Sequence, residues 1–157
     1  MALRRATSGD VDAVVEDLWV PFYREIARMD DWDALAEDVE AVGRDHVSRS
    51  IDRDDVALLL AEADEATGPV GFATVEHRPA PPVFARDAVV QVHELYVVPA
   101  YRRRGFATRL VERATEWGDE RGCDGTVLSV HPENEAAVGL YEDLGFRETR
   151  RHLVRVE

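Results

Sequence analysis

Residues 89–107 read VVQVHELYVVPAYRRRGFA, and this stretch decides the fold of the chain. Residues 89–98 are rich in β-branched and aromatic types, which is typical of a buried strand. Pro99 ends the strand because proline has no N–H to donate to a neighbouring strand. A short basic turn follows, and an amphipathic pattern then predicts a helix that begins near Phe106. The sequence therefore predicts a strand, a glycine-containing turn and a helix N-terminus in direct succession.

A turn of this kind is suited to binding phosphate groups. The N–H groups of the turn and of the first helical turn have no partners in the helix and converge on one point. The helix dipole adds positive potential there. The two common nucleotide loops are absent, since the chain has no lysine and no Gly-x-Gly-x-x-Gly after a strand. A Rossmann-type nucleotide enzyme is therefore disfavoured, and another phosphate ligand is expected.

Two motifs together resemble those of a known family. Arg102-x-x-Gly105-x-Ala107 follows the strand, and residues 134–146 read NEAAVGLYEDLGF. The pair resembles the two signatures of the GNAT superfamily of acetyl-CoA-dependent N-acetyltransferases. The resemblance implies direct transfer of an acetyl group from acetyl-CoA to a primary amine. It leaves the acceptor open among small metabolites, amino acids, polyamines, antibiotics and protein N-termini.

The predicted fold class is α/β (α+β): a mixed, mostly antiparallel sheet flanked by helices. The apolar pattern gives the order β-α-α-β-β-β-α-β-α-β, which is also what the resemblance implies. Strands are predicted at 3–6, 56–62, 70–77, 89–98, 126–130 and 147–156. Helices are predicted from residue 11 with an interruption or restart at Pro21, and at 33–50, 106–121 and 134–144.

The charge of the chain is strongly acidic, with 32 Asp and Glu against 19 basic residues and a formal net charge of −13. Nucleic-acid binding is set aside because it needs the opposite sign. The acidity would suit a cationic substrate or a surface adapted to high salt. The even spread of acidic residues and the absence of lysine favour the second explanation and predict a halophilic source.

Length and composition limit the remaining possibilities. The 157 residues suit one domain spanning 1–157. No apolar run is long enough for a membrane span, and no signal peptide is expected. The single cysteine, Cys123, fits a reducing cytoplasmic environment. The histidines show no spacing typical of a metal site. The resemblance also implies that the chain can pair as a homodimer, as family members often do.

The resemblance assigns the cofactor site to the strand, the turn and the last helix. N–H groups of the turn would cradle the pyrophosphate, and Gly105 is required because a Cβ would approach the ligand. The strand backbone would pair with the pantetheine arm, where a bulge opens the sheet. Asn134 would bind the same arm, cap the helix, or do both. The expected cofactor-binding residues are Leu95, Tyr96, Val97, Arg102, Arg103, Arg104, Gly105, Phe106, Ala107, Thr108 and Asn134.

Three residues are candidates for the proton transfers. Tyr141 matches the acid that the family often uses to protonate the leaving thiolate, and a core tyrosine is the alternative. Glu94 and His93 are equal candidates for the base, although each can also be structural or solvated. Weaker alternatives are Glu76 and His131, and the family also includes enzymes without a dedicated base.

Two further possibilities stay open at this stage. The aromatic residues of the front segment either wall the acceptor site or belong to the core; they are Trp19, Phe22, Tyr23 and Trp32. A non-catalytic acyl-CoA sensor or interaction module is the alternative to an enzyme. Free thiol release from acetyl-CoA would discriminate the two.

Overall fold

The computed structural model describes residues 1–157 and contains a sheet of five strands in the order β1-β2-β3-β4-β5. The first four strands pair antiparallel, and β5 pairs parallel with β4. The mixed, mostly antiparallel class is therefore confirmed. The strand bounds are β1 Ala2–Arg5, β2 Val56–Glu62, β3 Pro69–Pro79, β4 Ala88–Val97 and β5 Gly125–Leu128.

Five α-helices flank the sheet: α1 Val11–Val14, α2 Val20–Met29, α3 Val39–Asp52, α4 Phe106–Asp119 and α5 Glu135–Asp143. Between α1 and α2 lies a π-helical segment, Val15–Trp19. The chain thus stays helical past Pro21, which lies in the first turn of α2 just after the π-helical segment. A π-helical segment widens the turn and changes the direction of the side chains that follow it.

Each face of the sheet carries its own apolar core. On one face α4 packs through residues such as Leu110 and Trp117. On the other face α1, the π segment and α3 pack against Leu58, Leu60 and Phe72 of the sheet. The helices before β2 thus cover one face, and the helix after the basic turn covers the other.

A β-bulge in β4 changes which face its side chains meet. Thr74 of β3 pairs with Glu94, but the next residue, Val75, pairs with Val92, so His93 is the extra residue. Before the bulge Val92 belongs to the α4 core, and after it Tyr96 belongs to the opposite core. A regular strand would place residues 92, 94 and 96 on one face. The bulge therefore carries Glu94 to the face covered by α1–α3.

Two element predictions need correction. The second helix begins at Val39 instead of Asp33, because residues 31–33 form a short 3₁₀ turn. The last strand, predicted at 147–156, is wrong, since those residues form no strand. Leu153 is 95% exposed, and the neighbouring Val154 is exposed too. Val156 is exposed as well, so the segment buries none of these apolar side chains against the sheet.

No helix is long and apolar enough to cross a bilayer.

Candidate functional site

The turn between β4 and α4 presents a row of free backbone donors. None of the N–H groups of residues 103–108 donates a hydrogen bond to a backbone or side-chain acceptor in the chain. Two residues of the turn have positive φ, Arg103 at 64° and Gly105 at 87°. Alternation of this kind lets successive N–H groups face one concavity, which is a backbone arrangement that binds anions. A Cβ built on Gly105 meets no atom within 4 Å, so the space in front of the turn is open.

The three arginines of the turn differ in whether their side chains are paired with other groups of the chain. Arg102 donates from Nε to the Val97 carbonyl at 2.8 Å and pairs with Glu25 at 2.7 Å. Arg104 pairs with Glu65 at 2.9 Å and lies over the Tyr101 ring. Arg103 makes no ion pair. Arg102 therefore braces the turn against β4, whereas Arg103 is free to meet an anion.

The edge of β4 next to the turn has no partner strand. The pairing of β4 with β5 ends at Val92, so the two strands separate beyond that residue. Val98 donates its N–H to Val70 across the β3 ladder, so Leu95 and Val97 direct their N–H and C=O groups to the open side. The Val97 carbonyl is taken by Arg102. An extended ligand with amide groups can add to this edge as a strand would.

Asn134 and Tyr141 of the α5 region each carry a polar group that has no partner in the chain. The Asn134 side-chain oxygen accepts from the Ala137 N–H at 3.2 Å, so Asn134 caps this helix. Its side-chain NH₂ group makes no hydrogen bond in the chain. Tyr141 packs edge-on against Phe146 with ring centroids 5.8 Å apart, and its hydroxyl has no partner. Burial raises the pKa of Tyr141 to about 12, which keeps the phenol protonated at neutral pH.

Glu94 is the centre of a buried polar cluster built from four elements. The residue is 2% exposed, although its side chain is a carboxylate. Trp19 donates from Nε1 at 2.8 Å, and the Tyr23 hydroxyl donates at 2.6 Å to the same oxygen. His46 of α3 lies with Nε2 3.4 Å from the carboxylate. The π segment ends at Trp19, and the helix then carries Tyr23 one turn further along the same face.

The ionisation of this cluster follows from burial and its donors. Burial alone raises the pKa of Glu94, but hydrogen bonds led by that from His46 hold it below the ordinary value. The hydrogen bond with Glu94 raises the pKa of His46. Burial and the neighbouring carboxylate raise the pKa of Tyr23. At neutral pH the site therefore holds a carboxylate beside a titratable imidazole and a neutral phenol.

The bulge residue His93 lies apart from this cluster. Its Nε2 is 2.8 Å from Glu76, which also accepts from Arg53 at 2.8 Å. The ring is partly exposed. The other histidine considered, His131, bridges the approach to α5 and the end of α2 through Asp30 at 3.1 Å. The structure thus separates the two equal candidates, with Glu94 buried among donors and His93 in a surface ion pair.

Three members of the cluster, Trp19, Tyr23 and His46, were not predicted to meet Glu94. The i, i+4 spacing of the two aromatics indicated a shared helix face. Nothing in the sequence linked that face to β4, since the bulge and the π segment together create the contact. No sequence pattern indicated that His46 belongs to this cluster.

Known proteins of one family resemble this chain in sequence. A model of the acetyltransferase (GNAT) family matches residues 11–146. An uncharacterized N-acetyltransferase of Archaeoglobus fulgidus is 30% identical over 148 residues, or 94% of this chain and 93% of that protein.

Two other relatives match in part. An aminoglycoside N(6')-acetyltransferase type 1 of Salmonella typhimurium is 33% identical over 100 residues, covering 62% of this chain and 67% of that protein. An uncharacterized N-acetyltransferase of Methanocaldococcus jannaschii is 33% identical over 96 residues, covering 61% of this chain but only 41% of that protein.

The fold is shared with a solved aminoglycoside N-acetyltransferase in complex with CoA. The TM-score is 0.71 at 22% identity, and the alignment covers 99% of this chain and 98% of that one. At this identity the likeness concerns the fold.

Proposed function

The chain belongs to the acetyltransferase (GNAT) family and is an acyltransferase with acetyl-CoA as its cosubstrate, and on that premise we propose that it acetylates a primary amine of a small molecule or protein N-terminus in a ternary complex. One observation carries the proposal. Six consecutive N–H groups, those of residues 103–108, are unpaired at the N-terminus of α4, beside an open edge of β4. A diphosphate and an amide-containing arm are the chemical groups that these two features fit.

Individual residues divide the work of holding the cosubstrate. The N–H groups of 103–108 bind the pyrophosphate, and Arg103 adds a positive charge. Leu95 and the Val97 N–H pair with the pantetheine arm. Asn134 caps α5 through its oxygen and has its NH₂ group available for the same arm.

The proton transfers fall to two buried groups. Acetyl-CoA supplies the acetyl group as a thioester and leaves as a thiol. Glu94 takes the proton that makes the amine a nucleophile, acting through the Tyr23 hydroxyl, which lies 2.6 Å from it. Tyr141 holds its proton at neutral pH and gives it to the leaving sulfur. His93 is the weaker base because Glu76 already engages its ring.

The proposed acceptor class rests on a relative of the chain. One relative is named for the 6'-amine of aminoglycosides. A small, positively charged primary amine is therefore the acceptor class that we place first.

Thiol release from acetyl-CoA tests the proposal. The protein is mixed with kanamycin, spermidine, free amino acids or a short peptide with a free N-terminus, in low and in molar salt. We expect thiol release with at least one amine above the blank without amine. Glu94→Gln should lower the rate about 10²-fold or more, since general base catalysis commonly contributes that much. Acetyl-CoA binding without thiol release across the panel would favour an acyl-CoA sensor instead.

A further inference from the structure

We propose that His46 is the proton outlet of Glu94, passing to solvent the proton that the carboxylate collects from the acceptor amine. The inference rests on the proposed function and adds a residue to it. It starts from a geometric fact: Glu94 is 2% exposed, so a proton that arrives there has no direct route to water.

The reaction requires such a route. An acceptor amine enters as R–NH₃⁺ and leaves as R–NH–CO–CH₃, so two of its three N–H protons are lost. The N–C bond forms and the C–S bond breaks, and the thiolate of coenzyme A takes up one proton. The other proton is released to solvent in every turnover. A buried base must therefore discharge after each cycle.

The two hydrogen-bond donors to Glu94, Trp19 and Tyr23, are unsuited to this task. The Trp19 indole is buried and does not titrate. The pKa of Tyr23 is raised by burial and by the carboxylate, so the phenol stays neutral and can only pass a proton while receiving another. The Tyr23 hydroxyl is only partly buried, so the proton of the acceptor amine can enter through it.

His46 meets the requirement in position and chemistry. Its side chain is 45% exposed while its Nε2 lies 3.4 Å from the carboxylate. The imidazole is the side chain that titrates nearest to neutral pH. In the neutral ring with its proton on Nδ1, the free Nε2 takes the proton from the Glu94 carboxyl. The exposed imidazolium then releases a proton to water, and proton exchange with solvent restores the starting form of the ring. The Trp19 ring packs near both Tyr23 and His46, with its centroid 4.6 Å from the Tyr23 ring and 5.8 Å from the His46 ring.

Few other charged groups act on Glu94 and His46. On α3, Asp45 raises the pKa of His46, after the hydrogen bond to Glu94. Asp45 is itself paired with Arg49 at 3.1 Å. On β3, Thr74 lies opposite Glu94 and is uncharged. Along the strands the nearby ionisable groups are His93 and Glu76, which pair with each other, and Tyr96, whose pKa is raised by burial so that its phenol stays neutral. From α1 and the π segment only Trp19 faces the carboxylate.

The variant His46→Gln separates proton transfer from positioning. The glutamine NH₂ group can still donate to Glu94, but it cannot carry a proton. With the acceptor that reacts best in the amine panel, we expect kcat in dilute buffer to fall about tenfold or more, with KM unchanged. Added imidazole should restore kcat progressively, because a soluble base replaces the missing outlet. His152→Gln, in the exposed tail, is the matched control and should behave as wild type.

An NMR titration gives a readout that does not depend on turnover. The His46 imidazole should titrate above the ordinary histidine range in the wild type and shift down in Glu94→Gln. Full activity of His46→Gln, or a low kcat that imidazole does not raise, would overturn the relay in an active enzyme. No thiol release with any amine would refute the proposed function, and a shifted His46 would then mark a purely structural pair.

Discussion

Tyr23→Phe tests the buried cluster with the smallest possible change. The substitution removes one hydroxyl and keeps the ring, whose contacts with Trp19 at 4.6 Å and Phe22 at 4.9 Å remain. The lost hydrogen bond is short, 2.6 Å, and its acceptor is a buried carboxylate. A hydrogen bond to a charged group contributes about 1.5–3 kcal/mol. Trp19 still donates to Glu94 and the His46 ring still lies 3.4 Å from it, so the carboxylate is not orphaned and the cost stays in that range.

The same loss raises the pKa of Glu94, because one of the hydrogen bonds that favour its charged form is removed. Glu94 has a lowered pKa in the folded state, so its contribution is present above the unfolded pKa of about 4.3 and is lost as pH falls through the folded value. The difference between Tyr23→Phe and wild type should therefore be largest at neutral pH and should shrink in acid, where the carboxyl becomes protonated.

Urea denaturation at constant salt, at pH 7 and at pH 3.5, measures this difference. Tyr101→Phe is the matched control because the Tyr101 hydroxyl makes no hydrogen bond, and its stability should stay within about 0.5 kcal/mol of wild type. A free energy of unfolding for Tyr23→Phe that equals that of Tyr101→Phe at pH 7 would refute the reasoning. The Tyr23–Glu94 hydrogen bond would then contribute nothing measurable to stability.

Three further predictions concern other parts of the chain. Gly43→Ala should destabilise by about 1–3 kcal/mol, because its Cβ would lie 2.7 Å from the Trp19 ring; Gly139→Ala, a helical glycine with open space, should not destabilise in the same urea titration. Tyr141→Phe should lower kcat strongly and leave the Kd for acetyl-CoA and the stability nearly unchanged, since the hydroxyl has no partner in the chain; equal kcat values would remove Tyr141 from the mechanism. The melting temperature should rise from low to molar salt, because acidic residues outnumber basic ones by 32 to 19, and a flat dependence would contradict salt adaptation.

The sequence predicted the parts of the fold that depend on local signals. The strand before Pro99, the turn at Gly105 and the amphipathic α4 are each specified by residues close in sequence. The hairpin of β2 and β3 was predicted for the same reason. The missing last strand shows the limit, because a segment with alternating apolar residues becomes a strand only where a partner edge and a buried surface are available.

The buried cluster could not have been predicted in the same way. Its geometry depends on two irregularities, the extra residue His93 in β4 and the π segment before Trp19, and each reverses a periodic expectation. Glu94 was a candidate base from its place on the strand, but a carboxylate that is 2% exposed required knowledge of three helices at once. His46 reaches it from α3, 48 residues earlier in the chain.

The central claim is that the free N–H groups of residues 103–108 bind the diphosphate of acetyl-CoA. Calorimetry of acetyl-CoA binding to wild type, Gly105→Glu and Gly122→Glu tests it most directly. Both glycines have positive φ and open space around a new Cβ, at opposite ends of α4, so the two variants carry similar backbone strain. We predict that Gly105→Glu abolishes binding while Gly122→Glu binds like wild type. Unchanged binding by Gly105→Glu, or equal loss in both variants, would contradict the account.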